Sequence, residues 1–584
     1  MPARFLLVVF SIFVFLSFFQ PIETEDVWVH LSTGRWIISH MQVPRQDPFP
    51  FAQEQTPWVC YEWLGSTILY LKAKMGGMLG LKVFRSFFFM LVIGLAFLYG
   101  RRRLPFSVLM FLMTLMAYGL LNRLFLKPDI FNFLFIPFFL ALLFDYENGG
   151  SGKKLFLLPL AGMPWFNIHI GAFIYGLPLI SIFFLSRLAA GKDIKTLGAV
   201  LVLYLAGFLV NPFGFEGFLF PFKVFLSPGF IDFYKISANI LETQPPKHIF
   251  LSFGYFYFFL LALFGAAVLF FNKKNNFSLT LLFIFSLFAF LYMARNCGFF
   301  TIVAVYVVAE GAGRLAFKDI WQRLAWSKIV DRVLLGVIAL FLVFRIFEIS
   351  RQEFYYDGQA VKALAMETNP LAAAAVETLT NNIRGPVFNQ DVLGGWLIWS
   401  GYPALRPFQD GRNVDKERFN NTMAILSAPE KVWPIAERDY GFKAVALNTA
   451  NDSFSRFIAY INAQPSWQLI KVSGPLVIYV KRGEFKLPAE LDQLESRLKS
   501  ATVGEQDIEE LKQLAEQKQP SALEELLHPS PGRVDLFSDG LTLAMLGYKG
   551  AAVRDLVQAL KISRRPYMQS AAIDALKHLG IGVK

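Results

Sequence analysis

Apolar residues fall in long uninterrupted runs along this chain, divided by short polar stretches that carry most of the charge. The runs cover residues 5–20, 79–100, 104–121, 130–146, 155–166, 170–188, 197–210, 250–271, 277–293, 298–313 and 333–349. A helix needs roughly 20 apolar residues to cross a hydrocarbon core. About eleven transmembrane helices are therefore predicted, with 155–166 and 197–210 the shortest. The first run leads into Phe18-Phe19-Gln20-Pro21-Ile22 rather than a small-residue cleavage site. It reads as a retained helix and not as a signal peptide.

After residue 350 the pattern changes. Gly385-Pro386-Val387-Phe388-Asn389 predicts a short buried strand behind a Gly-Pro breaker. Residues 442–448 predict a second strand after a helix over 429–439. Residues 467–472 and 476–480, split by Ser473-Gly474-Pro475, predict a hairpin. From Pro488 the pattern is helical. Leu541, Ala544, Leu546-Gly547-Tyr548, Ala552, Leu556, Ala559-Leu560 and Pro566 resemble one tetratricopeptide unit. A plain helical hairpin is the competing reading, since such arrays take about three repeats to bury a core. The predicted fold class is an α-helical integral membrane protein with a C-terminal soluble α/β domain and a short all-α tail. Its parts are 1–350, transmembrane, with a large first outer loop at 23–78; 357–486, soluble α/β; and 488–584, the helical tail.

Composition agrees with this pattern. Hydrophobic residues make up 55% of the 584, above the 45–50% usual for a soluble domain, and mean hydropathy is +0.45. A net charge of +12 would suggest nucleic acid if it gathered on a soluble face. Here the cations sit in alternate loops, at Arg101-Arg102-Arg103, Lys153-Lys154, Arg187 to Lys195, Lys273-Lys274 and Arg314 to Arg332. Such loops are cytoplasmic by the positive-inside rule. The N-terminus then lies inside, and an odd number of spans places the first loop and the C-terminal parts outside. The lipid bilayer is the expected partner and nucleic acid is not. Two cysteines, Cys60 and Cys297, exclude a disulfide framework and a cysteine metal cluster. A single bridge between them would tie the first loop to the tenth span.

Candidate chemistry collects at the ends of the spans. Asp26, just past the first run, is placed to act as a general base on an acceptor, or else merely to solvate a helix end with Glu23 and Glu25. His30 lies four residues on and shares a face with Asp26 if the stretch is helical. Arg123, Lys127 and Arg295 lie on the outer side, against the positive-inside bias. A phosphate on a lipid carrier would account for them, as would salt bridges to Glu25, Asp26 or Asp47. Polar groups at span depth are costly and tend to be functional, which brings in Asn167 and His169. Glu62 closes the loop in Glu62-Trp63-Leu64. Gly394-Gly395-Trp396 suggests a positive φ or a close backbone approach, and Asp410-Gly411-Arg412 a turn braced by its own ion pair. No phosphate-binding loop, H-E-x-x-H or G-x-S-x-G motif occurs.

These residues carry a resemblance. Asp26-x-x-x-His30-Leu31-x-x-Gly34, Pro44-x-x-Asp47-Pro48-Phe49, Glu62-Trp63-Leu64 and Trp165-x-Asn167-x-His169 look like motifs of a branch of the bacterial GT-C membrane glycosyltransferases. Asn211-Pro212-Phe213-Gly214, Gly394-Gly395-Trp396-Leu397-Ile398-Trp399 and Asp410-Gly411-Arg412 extend the likeness over about residues 1–480. The resemblance implies a polyprenyl-phosphate-linked sugar as donor and an envelope glycan, lipid or protein as acceptor. It places the protein in the bacterial cytoplasmic membrane, with its reaction on the outer face. It implies Asp26 as catalytic base with Glu25 in reserve and His30 beside it. Arg123, Lys127 and Arg295 would be phosphate contacts, and Asp47, Glu62, Asn167 and His169 further cavity groups. No cofactor is fixed by the residues, and a divalent metal is compatible with them. Two features depart from relatives of the superfamily: the acid pair is Glu25-Asp26 in reversed order, and the Trp-Trp-Asp motif of oligosaccharyltransferases is absent. The competing class is a non-enzymatic membrane scaffold whose outer parts bind an envelope partner. A transporter is weaker, because no paired halves are visible.

Overall fold

The computed structural model describes residues 3–20, 22, 26–49, 56–226, 244–246, 255–272, 277–349, 377–383, 385–412, 414, 416–449, 452–516, 534–562 and 566–581. They form two compact units.

The first unit takes Met1–Ile22, Thr33–Arg45 and Val59–Gln352, and among its described residues helices joined by short turns and loops make up the structure. Its elements are α1 (Ala3–Phe18), the second half of α2 (Asp26–His40), α3 (Trp63–Gly100), α4 (Phe106–Leu121), α5 (Asn132–Glu147), α6 (Leu157–Ile168) and α7 (Leu177–Ala189). They continue with α8 (Lys195–Gly207), α9 (Phe215–Leu226), α10 (Phe256–Phe271), α11 (Phe277–Tyr292), α12 (Cys297–Arg314), α13 (Phe317–Arg323) and α14 (Ser327–Ile349). Four described stretches are long and apolar enough to cross a membrane: Trp63–Gly100, Pro128–Glu147, Ala172–Ala189 and Ala294–Arg314. Shorter apolar helices join them, and the chain is a multi-pass membrane protein. Lipid offers no partner to a free N–H or C=O, so apolar runs of this composition close their bonds internally as helices.

The helices break where residues permit it. Helix α3 is interrupted at Gly77 (φ 58°, ψ −155°), a conformation open to glycine. Its apolar part thus begins where the sequence predicts, while Trp63 to Gly76 adds a helical piece to the first loop. Between α6 and α7 the chain makes a π-helical turn at Ala172–Gly176, and Tyr204 donates to the Ala172 carbonyl at 2.8 Å. Helix α9 lies in a stretch read as loop, because Glu216, Pro221 and Lys223 interrupt its apolar pattern.

Two sets of buried charges fix this unit. Arg85, 1% exposed, donates to the carbonyls of Phe18 (2.8 Å), Gln20 and Leu124 (2.9 Å). It satisfies orphan groups at the end of α1 and joins them to the loop before α5. At the other end of α12, Glu310 accepts from Tyr99, Arg103 (3.1 Å), Asn148 (2.7 Å) and Arg314 (3.3 Å). Arg314 also pairs with Glu147, which accepts from Ser278 at 2.6 Å. This network links α3, α5, α11 and α12. Cys60 and Cys297 are both buried, and no disulfide joins them, against the bridge that the sequence allowed.

The second unit takes Glu23–Ser32, Gln46–Trp58 and Glu353–Lys584. Its sheet has strand order β2-β1-β3-β5-β4, from β1 (Gly385–Asn389), β2 (Leu405–Pro407), β3 (Ala444–Asn448), β4 (Trp467–Ser473) and β5 (Leu476–Lys481). β1 pairs in parallel with β2 and β3, and β5 runs antiparallel to both β3 and β4. Helix α15 (Asp391–Gly401) connects β1 to β2, and α16 (Lys416–Ser427) and α17 (Pro429–Tyr440) connect β2 to β3. Phe388, Phe408, Trp433, Phe442 and Phe457 fill one aromatic core. Helices Val534–Met545, Lys549–Ile562 and Pro566–His578 close the chain, and Leu543, Ala552 and Leu556 belong to the same core.

Candidate active site

The first unit gathers a cationic cluster around one carboxylate. Pro128 opens a 3-10 turn (Pro128–Phe131) that places Asp129 beneath α5, 6% exposed. Arg123 pairs with it directly. Lys127, His169 and Arg295 all lie within electrostatic reach of the same carboxylate. Arg123 and Lys127 also stand over the Phe125 ring at 5.4 and 5.5 Å. Arg295 has no hydrogen bond or ion pair from its side chain among the described residues. Three predicted phosphate contacts thus converge, and Arg123 takes Asp129 as a partner.

Beside this cluster stands a carboxylate–imidazole pair. His169 follows α6, and its Nε2 is 3.4 Å from Glu62 Oε1. Its Nδ1 accepts the Gly171 backbone N–H at 2.8 Å and faces Asn132 Nδ2 at 3.1 Å. An accepting Nδ1 leaves the ring proton on Nε2, toward Glu62. Asn132 Oδ1 in turn accepts from Trp165 Nε1 at 2.8 Å. The approach is close because residue 65 is glycine: a Cβ there would stand 2.6 Å from the Pro128 side chain and 2.9 Å from the Ile168 carbonyl. Asn167 is occupied structurally. It accepts from Trp63 Nε1 at 2.8 Å and donates to the carbonyls of Met163 and Val210.

The second unit holds an acidic cluster at the carboxyl ends of parallel strands, where open α/β sheets commonly place their sites. Asp391 starts the helix after β1, and Asp410 follows β2. Asn389 binds the segment between them, accepting from Phe408 N at 2.8 Å and donating to the Gln409 carbonyl at 2.9 Å. Arg412 donates to Asp410 at 2.8 and 2.7 Å and to both oxygens of Asp47 at 3.0 and 2.8 Å. Its guanidinium stands over the Trp58 ring at 4.5 Å and the Phe49 ring at 5.2 Å. Asp26 heads α2 and abuts Gly411: a Cβ on that glycine would be 2.9 Å from Asp26 Oδ1. Trp28 packs edge-on against Trp396, with centroids 3.9 Å apart.

Charges in this cluster differ in their hold on protons. Burial lifts the Asp47 carboxyl above the usual carboxylate range and the Asp410 charge adds to this, against the pull of Arg412. Burial would lift Asp410 too, but Arg412, its hydrogen bonds and Arg418 outweigh burial and hold it low. Burial also lifts Asp391, and the charges of Asp26 and Asp410 reinforce that against the hydrogen bond from Val392 N–H.

The predicted residues therefore divide. Asp26, His30 and Asp47 belong to the second unit, while Arg123, Lys127, Arg295, Glu62, Asn167 and His169 belong to the first. His30 is 9% exposed and follows Asp26 by one helical turn in α2. Glu25 lies outside the described residues. No three His, Cys, Asp or Glu side chains among the described residues are grouped to hold a metal ion. The sequence reading passed over Arg85 and Lys82, although charges inside the run 79–100 were the signal for them. It also passed over Asp391, which resembles any acid in a first helical turn.

No protein-family model matches the chain, and no curated protein sequence matches it. Solved structures share its fold. One is the oligosaccharyltransferase AglB from Archaeoglobus fulgidus, in complex with an inhibitory peptide and a dolichol-phosphate. It is similar at TM-score 0.54 and 14% identity over 99% of this chain and 87% of that one. The A. fulgidus enzyme in its apo form gives 0.54 at 13% identity, over 99% and 87%. The form tethered to an acceptor peptide containing the NVT sequon gives 0.55 at 12%, over 99% and 86%. The fold of the chain is that of the GT-C glycosyltransferases.

Proposed function

We propose that the chain is a membrane glycosyltransferase. It moves a sugar from a polyprenyl-phosphate carrier to an envelope acceptor on the outer face of the bacterial cytoplasmic membrane. The observation that carries this reading is that Arg123, Lys127, Arg295 and His169 all lie within electrostatic reach of Asp129, with Arg123 paired to it directly. Cations gathered in this way match a lipid-borne phosphate. The likeness to AglB supports the reading at the level of fold, and that enzyme's complex contains dolichol-phosphate.

In the proposed reaction Asp26 accepts the proton of the acceptor O–H or N–H as that atom bonds the anomeric carbon. The bond from that carbon to the carrier phosphate breaks, and its electron pair leaves with the phosphate. Arg123, Lys127 and Arg295 take up the charge that develops there, and preorganised contacts of this kind usually lower a barrier more than any other single effect. His30 orients Asp26 or the acceptor, Glu62 and His169 border the donor site, and Glu25 is the reserve base. The topology that goes with it has about eleven spans, the N-terminus inside and residues after 350 outside. The test compares envelope glycans by mass spectrometry with and without the gene, together with purified protein in liposomes given undecaprenyl-phosphate-linked sugars. One missing glycan and sugar transfer in vitro are expected. Unchanged glycans with no transfer would end the reading.

A further inference from the structure

Asp26 lies 384 positions before Asp410 in the sequence, yet both belong to one compact unit with the turn that follows β2. That turn is built rigidly. Asn389 holds it from β1, Thr422 holds Gln409 at 2.8 Å, and α15 approaches it closely at Gly394. A Cβ on Gly394 would stand 2.2 Å from the Gln409 carbonyl and 2.7 Å from Asp410 Cα. On this base Asp410 orients Arg412 through three contacts, including its own backbone N–H at 3.0 Å. Arg412 then grips the loop at Asp47, both of whose oxygens accept from Nη2, and at the Phe49 and Trp58 rings. Residues 26–32 are held separately, by Trp28 against Trp396 and by the bare backbone of Gly411 against Asp26. Both pieces of the first loop are thus fastened to one turn of the C-terminal unit.

We infer that Gly411 and Arg412 are positioning residues that set where the Asp26 carboxylate stands during transfer, so that the C-terminal unit is part of the catalytic apparatus rather than an appended binding module. The inference rests on the transferase reading. Neither residue touches the reacting atoms. Gly411 supplies room that any Cβ would take from Asp26, and Arg412 fixes the neighbouring strand of loop. The planar fork of Nε and Nη2 on Asp410, with Nη2 shared onto Asp47, suits a guanidinium and not a point charge. A displacement of about 1 Å at a catalytic group can cost roughly 100-fold in rate.

The test uses full-length protein in liposomes carrying Gly411→Ala, Arg412→Gln or Arg412→Lys. Gly411→Ala and Arg412→Gln are expected to lower kcat about 10- to 100-fold with the KM for the lipid donor unchanged within about 2-fold. Arg412→Lys should recover part of the loss. Hydrogen exchange of the intact protein should rise over residues 26–32 and 46–58 in Arg412→Gln. A variant with lowered thermal stability but full kcat per folded molecule would make the contacts merely structural and overturn the inference. Unchanged exchange over both loop pieces would overturn it as well, whether or not activity is detected. A wild-type protein without transfer activity would instead remove the transferase reading, and with it the catalytic half of the inference, while exchange still decides the fastening.

Discussion

At the scale of single residues the two clusters call for different substitutions. Asp26→Asn keeps size and removes the basic lone pair, so transfer should fall about 10²–10⁴-fold in a protein that still inserts and folds. Glycan mass spectrometry and a liposome assay check this, and normal transfer by the variant would mean that Asp26 only solvates a helix end. Arg295→Ala should act on donor affinity, since a charge-assisted contact is worth about 1.5–3 kcal/mol, and should leave thermal stability intact because that side chain has no ion pair among the described residues. Asp391 gives a pH test. Its native carboxyl is pushed up by burial, with the Asp26 and Asp410 charges reinforcing the effect. The folded state then binds its proton more tightly than the unfolded one. That favours folding below about pH 4, the unfolded carboxyl range, and the contribution is lost as pH rises through the native value. Asp391→Asn should therefore raise the melting temperature at pH 7, with the gain vanishing below about pH 4. A loss at pH 7 would contradict the sign.

At the scale of elements, the network on α12 ties four helices through two acids, Glu310 and Glu147. Glu310 is 2% exposed and accepts from Tyr99, Arg103, Asn148 and Arg314. Glu310→Gln leaves Arg103 without a counter-charge and should cost about 3–5 kcal/mol, as breaking a buried pair does. Detergent-solubilised protein should melt earlier, and an unchanged melting temperature would show that the network is dispensable. Much at this scale was legible in the sequence. β1 occupies Gly385–Asn389, where Gly-Pro punctuation and two apolar residues predict a strand, and the β4–β5 hairpin turns at the predicted Ser-Gly-Pro. Helix α2 was visible only as a condition, since Asp26, His30, Ser32, Thr33 and Arg35 blur its apolar stripe. The Arg412–Asp47 bond was invisible, because no local pattern records a partner 365 positions away. The Gly394 approach was foreshadowed by its glycine pair, but which backbone comes near is a tertiary matter.

At the scale of the whole molecule the charge pattern gives a direct test. Reporter fusions after Arg103, Lys274 and Arg332 should read cytoplasmic and one after Lys486 external. A cytoplasmic signal at Lys486 would put the first loop on the side opposite to the carrier sugar. The eleven apolar runs each contain a helix, yet only four described stretches meet the length and apolarity for a crossing. The apolar helices α1, α4, α8, α10 and α11 span only 13–16 residues, short of the roughly 20 that a crossing takes.

The bond between Asp47 and Arg412 also sets a timetable for synthesis. Its partners are 365 residues apart, and ribosomes add roughly 5–20 residues per second. Roughly 20–70 s therefore pass between the emergence of Asp47 and that of Arg412. During that interval every helix from α3 to α14 is made, while residues 46–58 wait with a carboxylate and two aromatic rings uncovered. A nascent chain halted before residue 412 should leave this loop open to proteases that cannot cut the finished protein.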